Sequence, residues 1–194
     1  MEAGIIPIDK KIVTIAELKK MKISYYHVNK LVEQGILKKL NKFTYENTGY
    51  HGEEADYIYV YAYVPNGVIC LLSAARYYGL TTYRPDAIDV SIQRKRKIRT
   101  LPDWPEIKLW YFDDIRQNTG IDEMEVCGEK ISIFDIEKTV IDIIYYRNKI
   151  GIEETKEIIT NYLKRTNRDI NKLCRYANKL KCKTILDIYL EVLL

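Results

Sequence analysis

No arginine occurs before Arg76 in this chain of 194 residues, so its first 75 positions carry positive charge on lysine alone. That removes the planar, bidentate reader of guanine from anything this part does with a nucleic acid. Cysteine is sparse: Cys70, Cys127, Cys174 and Cys182 are scattered, with no C-x-x-C pair. The spacing argues against a disulfide framework, and Cys174 and Cys182, two turns apart on one helical face, read as packing residues. His27 and His51 are the only histidines, too few for a Cys/His zinc site. The longest apolar runs, such as Val68 to Leu72, fall far short of the ~20 residues of a membrane span, and residues 1–11 lack a secretory pattern. The expectation is a cytoplasmic protein with no membrane partner. There is no G-x-S-x-G, no P-loop and no H-E-x-x-H, so no catalytic residue, cofactor or metal is assigned.

What is present is an uneven charge. Residues 1–48 hold nine lysines against five acids, an excess equal to the net +4 of the whole chain. The rest is balanced. Concentrated positive charge points to a polyanionic partner.

The same quarter has a recognisable plan. "TIAEL" opens a helix with Thr14 as N-cap and Glu17 three residues on, a capping box. After a short connection, Ser24 caps a second helix that Gly35 closes. "ILKKLNKFTYE" then reads as two short strands turning tightly at Asn41-Lys42. Helix, short turn, capped helix and basic hairpin are the plan of a winged helix-turn-helix over residues 1–48. On the second helix, Val28, Leu31 and Val32 share an apolar face, leaving Ser24, Tyr25, Tyr26, Asn29 and Lys30 on the other.

In such a module the second helix enters the DNA major groove and its N-terminal residues reach base edges. Ser24 and the helix start suit a phosphate, and His27 in the first turn suits phosphate contact or packing. Tyr25 and Tyr26 suit a phosphate or a thymine methyl, and Asn29 suits the adenine edge. Lys30 adds charge beside them, and Lys38, Lys39 and Lys42 on the hairpin neutralise the backbone. Without arginine, the expected sites are A·T-rich double-stranded DNA. Residue His51 is assigned nothing.

Residues 49–194 read as an α+β domain. "DYIYVYAYVP" fits both periods, and the acids Glu53, Glu54 and Asp56 in front favour a helix. "VICLLSAARYYG" reads as a buried helix stopped by Gly79, "AIDVSI" and "IKLWYF" as strands, and "MEVCGEKISIF" as a hairpin turning at Cys127-Gly128. From Asp135 onward the pattern is helical, over 135–147, 152–164, 169–180 and 183–193. The expected architecture is therefore a winged helix-turn-helix followed by a small sheet and a C-terminal run of helices.

Three stretches, "VPNGVICLLSAARYYGLT" (64–81), "EKTVIDIIYYRNKIG" (137–151) and "LCRYANKLKCKTILDIYLEVL" (173–193), follow the DNA-binding plan in order. With it, they resemble the AbiEi antitoxins of type IV toxin–antitoxin systems, named from abortive infection against bacteriophage. The resemblance implies that the winged helix binds inverted repeats in its own promoter and represses it. It also implies that the C-terminal domain counteracts a nucleotidyltransferase-like toxin without a stable complex. In the first stretch the pattern falls on Gly67, Val68, Leu71, Leu72, Ser73, Ala74 and Gly79 to Thr81, which read physically as packing. In the second it falls on Lys138, Thr139, Asp142, Arg147, Lys149 and Gly151. The charged and hydroxyl members are the candidate antitoxin surface, although Lys138 and Asp142 also suit an i,i+4 ion pair. Relatives commonly carry arginines where this chain has Tyr25 and Tyr26, so an operator sequence does not transfer.

Two other readings compete. Pro85-Asp86 and Glu106-Ile107-Lys108 match a short pattern of Mg-dependent nucleases, in which Asp86 and Glu106 hold the ion and Lys108 stabilises charge. Alternatively the protein is a stand-alone transcription factor whose second domain senses a ligand. The run "RKRKIR" (94–99) is either a solvated loop or a second anionic contact. No coiled coil is evident, so the expected species is a monomer that pairs on DNA.

Overall fold

The computed structural model of the chain describes residues 6–53 and 55–193. It divides into two compact units: Met1–Asn66 with Lys97–Pro105 and Met124–Ile131, and Gly67–Arg96 with Glu106–Glu123 and Ser132–Leu194. Helices and sheets are mixed along the chain, so the architecture is α+β.

The first unit runs β1 (Ile12–Thr14), α1 (Ile15–Lys20), α2 (Tyr25–Glu33), β2 (Leu37–Lys39), β3 (Thr44–Asn47) and α3 (Ile58–Tyr63). The capping box at α1 is present: Thr14 Oγ1 accepts from Glu17 N at 3.2 Å, and Glu17 Oε2 accepts from Thr14 N at 2.8 Å. α1 ends on Lys22 in the left-handed region (φ 60), with Ile23 N donating to Leu18 O at 3.0 Å. Only four residues separate α1 from α2.

Gly35 closes α2 in the same way at φ 72, with Ile36 N donating to Leu31 O. A methyl group there would meet nothing within 4 Å, so only backbone strain opposes it. Gly35→Ala is therefore expected to lose about 1 kcal/mol of stability, measured as a shifted urea midpoint with unchanged slope.

β1 is an element that the sequence pattern did not disclose. It pairs antiparallel with β3, Ile12 opposite Glu46 and Thr14 opposite Thr44, giving the order β1-β3-β2. Its two β-branched residues, Ile12 and Val13, are fully buried. The hairpin is also wider than expected, because β2 and β3 leave residues 40–43 as the loop. Asn41 builds that loop: Oδ1 accepts from Phe43 N at 2.8 Å and Thr44 N at 3.1 Å. Val13, Leu18, Ile23, Val28, Leu31, Leu37 and Tyr45 form the core beneath.

Within the 57–64 stretch Ile58–Tyr63 is helical, the alternative that the sequence reading favoured, although no acid stands in its first turn. It also moves the unit's edge from residue 48 to Asn66. Ala62 O accepts from Asn41 Nδ2 at 2.9 Å, Tyr59 OH donates to Glu46 at 3.0 Å, and Tyr63 OH donates to Leu40 O at 3.2 Å. α3 thus completes the first unit.

The second unit contains β4 (Val68–Ile69), α4 (Leu71–Tyr77), β5 (Ile88–Gln93), β6 (Ile107–Phe112), α5 (Asp114–Gln117), and α6 (Ile136–Tyr145) to α10. The last four helices are α7 (Arg147–Ile150), α8 (Ile152–Leu163), α9 (Ile170–Lys179) and α10 (Lys183–Leu193). Strands β7 (Ile121–Val126) and β8 (Glu129–Phe134) form the hairpin at Cys127-Gly128, whose tip counts with the first unit. The sheet order is β6-β5-β4-β8-β7, with β5 and β6 parallel and Ile88 opposite Ile107.

The helix expected to begin at Val68 begins at Leu71 instead. Val68 and Ile69 are taken by the sheet between β5 and β8. A short apolar run fits a buried strand as well as a buried helix, and the central slot of a sheet favours the β-branched pair. Leu71, at φ 47, turns the chain into α4. Ser73, Ala74 and Ala75 are buried, as the small-residue pattern anticipated, and Ser73 Oγ accepts from Asp89 N at 2.9 Å. The core gathers Leu71, Ala75, Trp110, Phe112 and Phe134 with Val140, Ile143, Ile144 and Tyr162.

Candidate nucleic-acid interface

α2 forms because one face can be buried: Val28 and Leu31 are buried while Ser24, Tyr25, Tyr26, His27, Asn29 and Lys30 are exposed. Tyr25 and Tyr26 are each 64% exposed, a large fraction for aromatic side chains. The N-terminus is ordered by Ser24, whose Oγ accepts from His27 N at 3.4 Å and lies 2.9 Å from His27 Nδ1. His27 is thereby a partner of the cap. Lys30 Nζ sits 4.8 Å from the Tyr26 ring centroid, and the His27 ring meets Tyr26 edge-on at 5.7 Å. These contacts restrict Tyr26 and hold a cation over its face.

The hairpin presents Lys38, Lys39 and Lys42, all exposed. Lys38 Nζ lies 3.9 Å from Glu46, which also faces Lys11 at 3.4 Å. At its tip stands Phe43, 70% exposed, a residue that the sequence pattern did not single out. The available signal was an aromatic inside an otherwise polar, lysine-rich turn. The eight residues singled out on α2 and the hairpin are thus all exposed, within one unit.

The residues assigned to an antitoxin surface do not share one. Lys138, Thr139 and Asp142 are fully buried in α6, which corrects that expectation. Arg147 is half-buried and donates to Ile144 O at 3.2 Å, while Lys149 alone is exposed. Lys138 and Asp142 do form the i,i+4 ion pair. The missed partner is Arg116 of α5, which pairs with the other Asp142 oxygen, donates to Leu180 O at 3.2 Å and stacks 3.8 Å from the Tyr145 ring. Burial pushes the Lys138 ammonium below its ordinary pKa, opposed by the attraction of Asp142.

Of the nuclease-like residues, Asp86, Glu106 and Lys108 are exposed. Lys108 Nζ lies 5.0 Å from the Trp110 ring. The acid opposite Lys108 in the sheet is Asp89, buried and accepting from Trp110 Nε1 at 2.7 Å. The 94–99 cations Arg94, Lys95, Lys97 and Arg99 are exposed, with Arg96 half-buried. Among the described residues, no helix is long and apolar enough to cross a membrane.

No family model matches the chain, and no curated protein matches it. Among solved structures, the crystal structure of the Rv2827c protein from Mycobacterium tuberculosis is similar, with a TM-score of 0.48 and 13% identity. The alignment covers 93% of this chain and 75% of that one.

Proposed function

We propose that this protein is a DNA-binding regulator, its first unit a winged helix-turn-helix that lays α2 in the major groove with β2–β3 as the wing. The observation that carries this is the exposed face of α2. Tyr25, Tyr26, Asn29 and Lys30 are all exposed, as are Lys38, Lys39 and Lys42 on the hairpin of the same unit. A face that met only water would not need two tyrosines 64% exposed. The order strand, helix, helix, strand, strand agrees with this arrangement.

The wider reading is an AbiEi-type antitoxin that represses its own operon and counteracts a nucleotidyltransferase-like toxin without a stable complex. Its support is the ordered resemblance of the three C-terminal stretches. Two copies are required to read an inverted repeat, and they pair on the DNA.

The test is a titration of the full chain against its own promoter and shuffled duplexes at several salt concentrations. Asn29→Ala is expected to lose discrimination at one A·T pair by about 1–3 kcal/mol. Uniform weakening on every duplex would restrict Asn29 to the backbone. Absence of binding to any duplex would overturn the reading. Co-expression with the adjacent gene product then tests neutralisation. The full chain is needed, since segments 97–105 and 124–131 count with the first unit and a fragment starting at 49 would strand them.

A further inference from the structure

α4 ends at Gly79, and the chain then forms a loop that one face of α8 holds in place. Glu157 and Asn161 of α8 do this, together with Arg165 just beyond its end. Glu157 accepts from Thr81 Oγ1 at 2.9 Å and Thr82 N at 3.4 Å. Asn161 donates to Leu80 O at 2.9 Å, and Arg165 donates to Tyr78 O at 2.9 Å. Arg76, from the last turn of α4, donates through one nitrogen to Thr82 O at 3.3 Å and Tyr83 O at 3.5 Å. The loop is thus fixed from both sides.

This fixed loop borders a shallow, open cleft of about 380 Å³ lined by Arg76, Thr81, Thr82 and Arg84. Two arginines line it. The acid beside them, Glu157, has both carboxylate oxygens engaged by Thr81 and Thr82. Among the described residues, neither Arg76 nor Arg84 forms an ion pair, and Arg84 is exposed. Pro85 follows and disfavours a helical conformation at Arg84, which lies outside any helix or strand. Glu157 bonds only the neutral donors of Thr81 and Thr82, so neither guanidinium is paired to it, and two arginines with one nearby carboxylate leave the loop net positive and attractive to an anion. Planar five-donor guanidiniums match the oxygens of a phosphoryl group, and a threonine hydroxyl adds a donor.

We propose that this cleft is a binding site for a phosphate-bearing small molecule, with Arg84 and Arg76 on the phosphoryl oxygens and the Thr82 hydroxyl beside them. The depression is shallow and open to solvent, which suits a small, well-hydrated oligophosphate held at its charged end and not a buried ligand. Free pyrophosphate and a nucleotide share that chemistry. The site lies wholly in the second unit and is independent of the DNA reading.

The experiment is calorimetric titration of the full chain with inorganic pyrophosphate and, separately, ATP. Saturable binding is expected at ~1 mM or tighter. Arg84→Glu is expected to weaken it on the order of tenfold or more, since a charge-assisted contact becomes a repulsive one. Its melting temperature without ligand should match that of the parent, because Arg84 has no partner to lose. Lys30→Glu, on the DNA-reading helix, should leave ligand affinity unchanged. ATP binding more tightly than pyrophosphate would identify a nucleotide site, and equal affinity a site for the oligophosphate alone. The proposal fails if neither probe saturates, if Arg84→Glu binds as the parent does, or if Lys30→Glu rather than Arg84→Glu abolishes binding.

Discussion

Asp142→Ala should destabilise the protein by about 3–5 kcal/mol, the range for leaving buried charge without its partner. Asp142 lies in the middle of α6, which is buried from Glu137 to Ile144. One carboxylate oxygen pairs with Arg116 and the other with Lys138. With alanine in its place, two cations remain in a core of aromatic rings. Lys138 Nζ stands 3.9 Å from the Phe134 centroid and 5.2 Å from that of Phe112. Cation–π attraction of about 2 kcal/mol does not offset desolvation of two unpaired charges.

Lys138→Met is the informative companion. It removes the cation that burial already disfavours and leaves Asp142 paired with Arg116. Urea unfolding of the three proteins should therefore rank parent, Lys138→Met and Asp142→Ala in descending midpoint. Equal losses for the two variants would show that Asp142 does not serve as the shared counter-ion.

The second large effect concerns salt. Replacing Lys38, Lys39 and Lys42 together by alanine should lower the slope of log affinity against log salt by about 2.7, roughly 0.9 for each phosphate that is no longer neutralised. Affinity should fall alike on the promoter and on shuffled DNA, because phosphate contacts carry no sequence information. A smaller loss at Lys38 is consistent with its 3.9 Å approach to Glu46. An unchanged slope would remove the hairpin from the interface. Folding should be unaffected, as all three side chains are exposed.

Much of the first unit was legible because its signals are local. Thr14 with Glu17, Ser24 and Gly35 announce helix ends through bonds that close within a few residues. The outward face of α2 follows from 3.6-residue periodicity once Val28 and Leu31 are placed inward. β1 was not legible: three residues make no periodic pattern, and Ile12 to Thr14 become a strand only because β3 offers an edge.

Amino-acid order by itself determined α1 and α2 with their caps, the concentration of lysine in the first quarter and the polar face that carries the functional proposal. These depend on residues within a turn or two of each other. Tertiary structure alone decided that Val68 and Ile69 are a central strand, that α3 completes the first unit, and that Lys138 and Asp142 lie in the core beside Arg116. It also decided that Arg76 and Arg84 share one cleft. Each of these outcomes rests on partners distant along the chain, and burial of a charge is set by what packs over it.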